Sequence, residues 1–430
     1  MPRLASLTAR QLAGQGAGPR ILNLELTVDN PNVYSSAGSD LFGYSVAISG
    51  NRAIVGARGE DEPGVFAAGK AYIIDVQTGN VVHTLSNPNN YDTGVSDNFG
   101  WGVDIDGDRA IVGTPFEDDA GGSGSGVAYI FDVTTGALLH TLVNPNAFNT
   151  SASDQFGRDV AISGDRAIVG AYLEDAVVAS SSGKAYIFNV STGSLIHTLD
   201  NPRNSSSDTF GNAVGIDGNY AIVGSPGQDQ TNTSGVITAQ NAGAAYIFNV
   251  TTGTLVHTLE NPSTVTGGNG PAQDNFGNWR AVDISGNYAI VGAHQTDGGA
   301  GISSSGAAHI FNVTTGALVH SFYNPNAFGT PALDDFGRVV GISGNYCIVG
   351  APREDDEVGT EQGKAYIFNV ASGALVHTID NPNAQSSINS DTNDQFSWAV
   401  DIDGGRAIVS TPYEDESNAS SSGKAYIFRY

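Results

Sequence analysis

The chain of 430 residues carries one text written seven times. Asn30, Asn87, Asn144, Asn201, Asn261, Asn324 and Asn381 each precede a proline. A second beat is Asp-x-Phe, starting at Asp40, Asp97, Asp154, Asp208, Asp274, Asp334 and Asp394, with intervals of 57, 57, 54, 66, 60 and 60 residues. Such an array builds one continuous core from units that cannot bury their faces alone, so the length does not imply several domains.

The copy at residues 334–383 shows what one unit is. It has four strand-like runs, 338–343, 346–351, 364–370 and 374–379. Gly344-Asn345 joins the first two, and Gly-Asn or Gly-Asp pairs favour the positive φ of a two-residue hairpin. Ala371-Ser372-Gly373 joins the last two. The runs are rich in β-branched and aromatic residues, and no helical period appears. They are apolar on both faces, as expected of sheets sandwiched between other sheets. Four-stranded sheets stacked radially form a β-propeller, with an open solenoid as the competitor.

The termini decide between them. The last copy stops after its third strand, at 424–430, and the chain opens with an orphan fourth strand at 21–28. Joining the two closes a ring and leaves no open edge. The sequence therefore predicts an all-β fold: a seven-bladed β-propeller of four-stranded antiparallel blades, closed by the N-terminal strand completing the last blade. Residues 1–20 are a separate basic arm with Arg3, Arg10 and Arg20 and no acid; residues 21–430 are the propeller.

Phe336-Gly337 and Gly350-Ala351-Pro352 resemble the FG-GAP repeat, the blade type of integrin α-subunit heads. Other copies keep Phe-Gly and variants such as Gly113-Thr114-Pro115, while the last reads Phe396-Ser397 and Ser410-Thr411-Pro412. The resemblance implies a calcium loop before the second strand. Here that segment is short, and its nearest match is Asp104, Asp106 and Asp108, followed by Arg109. Calcium takes six to eight oxygens, so no cofactor is expected, with calcium at those three residues as the alternative. Quinoprotein propellers are a second resemblance, through the Thr-Gly-x-Leu turn. They carry a recurrent tryptophan, whereas only Trp101, Trp279 and Trp398 occur here, read as lying in neighbouring but not matching slots after Asp-x-Phe.

The formal charge of −26 argues against a nucleic-acid partner, and no apolar run is long enough to insert in a membrane. No apolar signal segment follows Arg3 and Arg10. The single cysteine, Cys347, sits in a slot that other copies fill with alanine and reads as a small buried hydrophobe.

A meander places the tight 1–2 and 3–4 turns on one end of the ring and the long 2–3 and 4–1 loops on the other, the crown. The crown is acidic. Its recurrent Glu-Asp pairs include Glu60-Asp61, Glu174-Asp175, Glu354-Asp355 and Glu414-Asp415. The chain's four lysines, Lys70, Lys184, Lys364 and Lys424, occupy one slot, each in a copy with such a pair. The expectation is an ion pair bracing the 2–3 loop, contributing about 0–1 kcal/mol where exposed. The irregular fourth blade is the expected contact sector, through Gly227, Gln228, Asp229, Asn232, Gln240 and Asn241, with Asn269 and Gln273 in the next loop. Six histidines sharing one slot lie a blade apart and read as edge-strand residues, not metal ligands.

The expected function is a non-enzymatic binding or structural propeller in a larger assembly. A bacteriophage virion appendage or tail is the favoured setting, with the basic arm docking on protein partners and the crown presented to a cell-surface glycan or receptor. A lectin-like or polysaccharide-processing propeller, or a secreted adhesin, is the alternative.

Overall fold

The computed structural model describes residues 22–32, 39–62, 65–88, 96–118, 122–145, 153–177, 179–231, 237–262, 273–297, 304–325, 333–355, 361–383, 394–415 and 421–430. These form seven four-stranded antiparallel blades. Blade one consists of Phe42–Ser49, Arg52–Ala57, Lys70–Asp75 and Val81–Ser86. The first strand of every blade touches the first strands of both neighbours, blade seven touching blade one, so first strands line the axis and fourth strands the rim.

The seventh blade is made from both chain ends. Val400–Asp403, Arg406–Thr411 and Lys424–Arg429 supply three strands, and Asn23–Asp29 supplies the fourth. Asn23 pairs with Arg429 and Asp29 with Lys424. Arg406 reaches Glu25 at 2.6 Å across this seam. The Tyr430 N–H donates to the Gly405 carbonyl, which places the C-terminus among the tight turns.

The core is seven apolar layers, one at each junction between blades. At the junction of blades one and two, Ala47, Ile54 and Ile73 meet Phe99, Val112 and Tyr129. This is the packing that two-sided apolar strands require. Each Asp-x-Phe phenylalanine is fully buried. Cys347 is buried within the layer between blades five and six.

The histidine slot ties rims together. His83, His140, His197, His257 and His320 each place Nε2 2.9–3.3 Å from a carbonyl in the next blade's 3–4 turn. Blade seven has no such turn, because its third and fourth strands are the two chain ends. His377 Nε2 accordingly has no partner among the described residues.

Candidate functional site

Among the described residues, the crown's recurrent polar side chains serve the fold. The two sequence beats are the two halves of one contact, in which each Asn-Pro asparagine donates Nδ2 to the next Asp-x-Phe aspartate. Asn87 reaches Asp97 at 2.9 Å, Asn261 reaches Asp274 at 2.8 Å, and all seven pairs form. The Asp of the Glu-Asp pair, or Asp229 and Asp297 in blades four and five, accepts a backbone N–H from the far side of its 2–3 loop in every blade, as when Asp61 accepts from Ala67 at 2.8 Å.

The glutamates lie deeper than an exposed brace. Glu60, Glu174, Glu354 and Glu414 have side chains no more than 1% exposed, and Lys70, Lys184, Lys364 and Lys424 approach them at 2.8, 3.0, 3.5 and 3.1 Å. A buried tyrosine hydroxyl donates to each as well, such as Tyr186 to Glu174 at 2.6 Å. Burial pushes the Glu354 carboxyl up to about 7 and raises Glu60 and Glu414, against the lowering effect of lysine and tyrosine. Blade four replaces the trio with Gln228, Ala244 and Tyr246, and Tyr246 donates to Gln228. Blade five has Thr296, Ala307 and His309 in the same slots.

The fourth-blade sector is largely spoken for. Gln228 is buried, Asp229 accepts from Asn241 at 2.9 Å, and Gly227 packs backbone to backbone on Ser207. Gln240, Asn241 and Gln273 are exposed. Asn232 and Asn269 lie outside the described residues, as do Arg3, Arg10 and Arg20.

Asp104 and Asp106 bind backbone of the next blade. Asp104 Oδ2 accepts from Ile162 N–H at 2.7 Å, and Asp106 Oδ2 accepts from Gly164 N–H at 2.7 Å. Asp108 is exposed, and its backbone carbonyl caps Val133. Asp106's slot bridges all seven junctions, through Ser49, Ser163, Asp217, Ser285, Ser343 and Asp403 in the other blades. Among the described residues no group of three or more acidic, histidine or cysteine side chains is placed to hold a metal.

The symmetry breaks on the axis. First strands begin and second strands end at the crown mouth of the channel, and all three tryptophans of the chain meet there around Tyr44. Ring centroids lie 5.1 Å apart for Tyr44–Trp101, 5.3 Å for Tyr44–Trp279 and 5.7 Å for Tyr44–Trp398. Arginines cover their faces. Arg58 sits 4.0 Å from the Tyr44 ring and 4.6 Å from Trp101, Arg280 4.0 Å from Trp279, and Arg338 4.8 Å from Trp398. Such cation–π contacts strengthen when desolvated.

Arg280 is the plug. It has a φ of 58°, and it donates to the carbonyl of Tyr44 and, at 2.7 Å, to that of Trp101. Desolvation lowers its guanidinium to about 10, leaving it cationic at neutral pH. Inside, the first strands line an open cavity of ≈ 100 Å³ bordered by Asp104, Asp159, Asp283, Asp401 and Arg280, room for several waters. Burial among the first strands pushes the Asp104 carboxyl up to about 8 and those of Asp159 and Asp283 to about 7, and raises Asp401 well above its usual range.

Blades meet closely where Phe-Gly of one faces Gly-Ala-Pro of another. Gly100 has a φ of 87°, and its carbonyl would lie 2.1 Å from a Cβ added to Gly56 of the preceding blade. No side chain fits there without moving backbone. Ser397 and Ser410 take these slots in blade seven, and Ser397 turns its hydroxyl to the Lys364 carbonyl at 2.6 Å. The family model of the FG-GAP repeat matches residues 35–74, 90–131, 147–188, 204–248, 262–311, 329–368 and 388–428. The chain belongs to the FG-GAP repeat family. No curated protein matches it.

The FG-GAP frame locates the variable positions. The slot after Phe-Gly holds Tyr44, Trp101, Arg158, Asn212, Asn278, Arg338 and, after Phe-Ser, Trp398, so Trp101 and Trp398 do share a slot, contrary to the sequence reading, and only Trp279 is displaced by one. The third GAP position holds Arg58, Tyr172 and His294 where other blades have proline. The FG-GAP motifs repeat because they build the ring, and the slots flanking them diverge and converge on the axis. One sequence signal was available: Phe276 and Ile284 are eight positions apart, against six for the matching pair in other blades, and the two extra residues place Trp279 and Arg280 on the axis.

Proposed function

We propose that the chain is a non-enzymatic binding and structural propeller that works as a component of a larger assembly. The supporting observation is the division of labour on the crown. Recurrent polar residues are spent on the blades' own loops, while the non-recurrent aromatic and cationic ones gather at the channel mouth. A rigid ring with one unrepeated surface suits recognition.

The finer reading is a bacteriophage virion appendage or tail component, held by the basic segment at residues 1–20 and presenting the crown to a cell-surface glycan or receptor. Its setting is then the virion or an extracellular surface. The test is co-expression with the other proteins of its particle. The full chain copurifies with the particle, and a variant lacking residues 1–20 keeps the same unfolding midpoint but stays free. Full incorporation of that variant overturns the anchoring role. The lectin-like reading is favoured by the axial cluster.

A further inference from the structure

The axial cluster has an excess of hydrogen-bond donors. The indole Nε1 of Trp101, Trp279 and Trp398 and the Nε of Arg58 and Arg158 are buried and have no acceptor among the described residues. Buried N–H groups without acceptors are costly, and several at one place are unusual in a native structure. Asn212 Oδ1 and the His294 ring nitrogen Nδ1 are also unpartnered there, so donors outnumber acceptors among the described residues.

Two of the cluster's arginines lack an ion-pair partner, although Asp159 lies near enough to Arg158 and Arg280 to interact with them electrostatically. Arg58 donates to Asn98 at 2.9 Å, and Arg158 to Gln155 at 3.1 Å and Tyr172 at 2.9 Å. Neither has a carboxylate within ion-pair distance among the described residues, whereas all four lysines do. Arg338 and Arg353 share Asp335 between them. His294 is held neutral, its ring pushed down to about 3 by burial and by those two arginines. The mouth is thus a cationic spot on a protein of charge −26.

Apolar surface lies beside the charge. Trp101 and Trp398 are half-buried, as are Phe116, Tyr172 and Tyr413 around them. Phe116 packs edge-on against Trp101 at 5.2 Å and Tyr413 against Trp398 at 5.2 Å. A matching ligand supplies anionic oxygens to the half-buried guanidinium groups of Arg58 and Arg158 and an apolar ring face to the half-buried aromatics. A free phosphate supplies only the first and a neutral sugar only the second. A uronic-acid sugar supplies both, with its carboxylate, its hydroxyl oxygens and its C–H face.

The geometry points to the crown mouth, built by Tyr44, Trp101, Trp398, Arg58 and Arg158, as a binding site for an acidic, carboxylate-bearing oligosaccharide. This rests on the reading of the propeller as a binding module. It assigns recognition to the axis, with Gln228, Asp229, Gln240 and Asn241 outside the site.

The test uses the full chain and its own tryptophans, all three of which lie in the site. Emission and calorimetry are followed during titration with oligogalacturonate, maltooligosaccharide of equal length, polyglutamate and inorganic phosphate. Oligogalacturonate gives a saturable response, and Arg58→Gln and Arg158→Gln each weaken it tenfold or more while both variants keep a single cooperative unfolding transition. A neutral oligosaccharide binding as tightly overturns the role of the arginines. Polyglutamate or phosphate binding as tightly overturns the assignment to a sugar and leaves the binding-module reading standing. No response to oligogalacturonate, or full binding by both variants, overturns the site itself. Incorporation into the particle is unaffected by these outcomes, so the two readings fail separately.

Discussion

Arg280 Nη2 lies 2.7 Å from the carbonyl of Trp101, joining blade five to blade two across the channel mouth. With its second bond to the Tyr44 carbonyl, one side chain ties three blades together at the axis. Arg280→Met keeps much of the apolar stem and removes both donors. The two carbonyls then lose their charged partner, and stability falls by about 2–3 kcal/mol. Denaturant unfolding followed by tryptophan emission measures this, and the native emission changes with it. An unchanged midpoint shows that the plug carries no stability.

The Glu–Lys pair of blade three is predicted to be strongly non-additive. Lys184→Ala leaves Glu174 buried with only its other partners and costs about 2–4 kcal/mol, because an uncompensated buried charge is expensive. Adding Glu174→Gln reproduces blade four's natural combination of Gln228 and Ala244, with the tyrosine still able to donate. The double variant recovers to within about 1 kcal/mol of the starting protein. Additive losses would show that the pair is only a surface contact.

Much of this architecture was legible in the chain. Seven Asn-Pro and seven Asp-x-Phe beats gave the blade count, and the orphan strand before Asn30 gave the ring closure. That Asn87 bonds Asp97 was not legible, because the loop between them varies in length from copy to copy. Nor was the burial of Glu60, which depends on how a 2–3 loop folds back over Tyr72. The axial cluster was the least legible part. Trp101, Trp279 and Trp398 are 178 and 119 residues apart in sequence and meet only because the ring closes.

Stability should fall as pH rises through neutrality. Asp104, Asp159, Asp283 and Asp401 have carboxyls raised by burial in the channel, to about 8 for Asp104 and about 7 for Asp159 and Asp283. The folded ring therefore holds these protons more tightly than the unfolded chain, whose aspartates titrate near about 4. The contribution is fully present below that value and is lost as pH passes the folded values. At the acid end Asp75, Asp132 and Asp165, lowered by turn hydrogen bonds and arginine, act oppositely and lose their contribution as pH falls below about 4. The unfolding midpoint should peak near about pH 4, decline from there to about pH 8 and level off above it. Asp283→Asn, which keeps an acceptor for Ile342, flattens the decline; an equally steep decline in that variant contradicts the assignment.

Ring closure by the N-terminal strand holds Tyr44 of blade one against Trp398 of blade seven, so the axial site depends on it. The most direct measurement is denaturant unfolding, read by tryptophan emission, of the full chain beside variants lacking residues 1–20 and 1–29. Removing the arm alone should leave the midpoint where it is. Removing the strand Asn23–Asp29 as well strips the outer strand from Lys424–Arg429, and the transition should shift strongly downward or disappear, returning when a peptide of residues 22–32 is added. A variant lacking 1–29 that unfolds at the full chain's midpoint would contradict the closed ring.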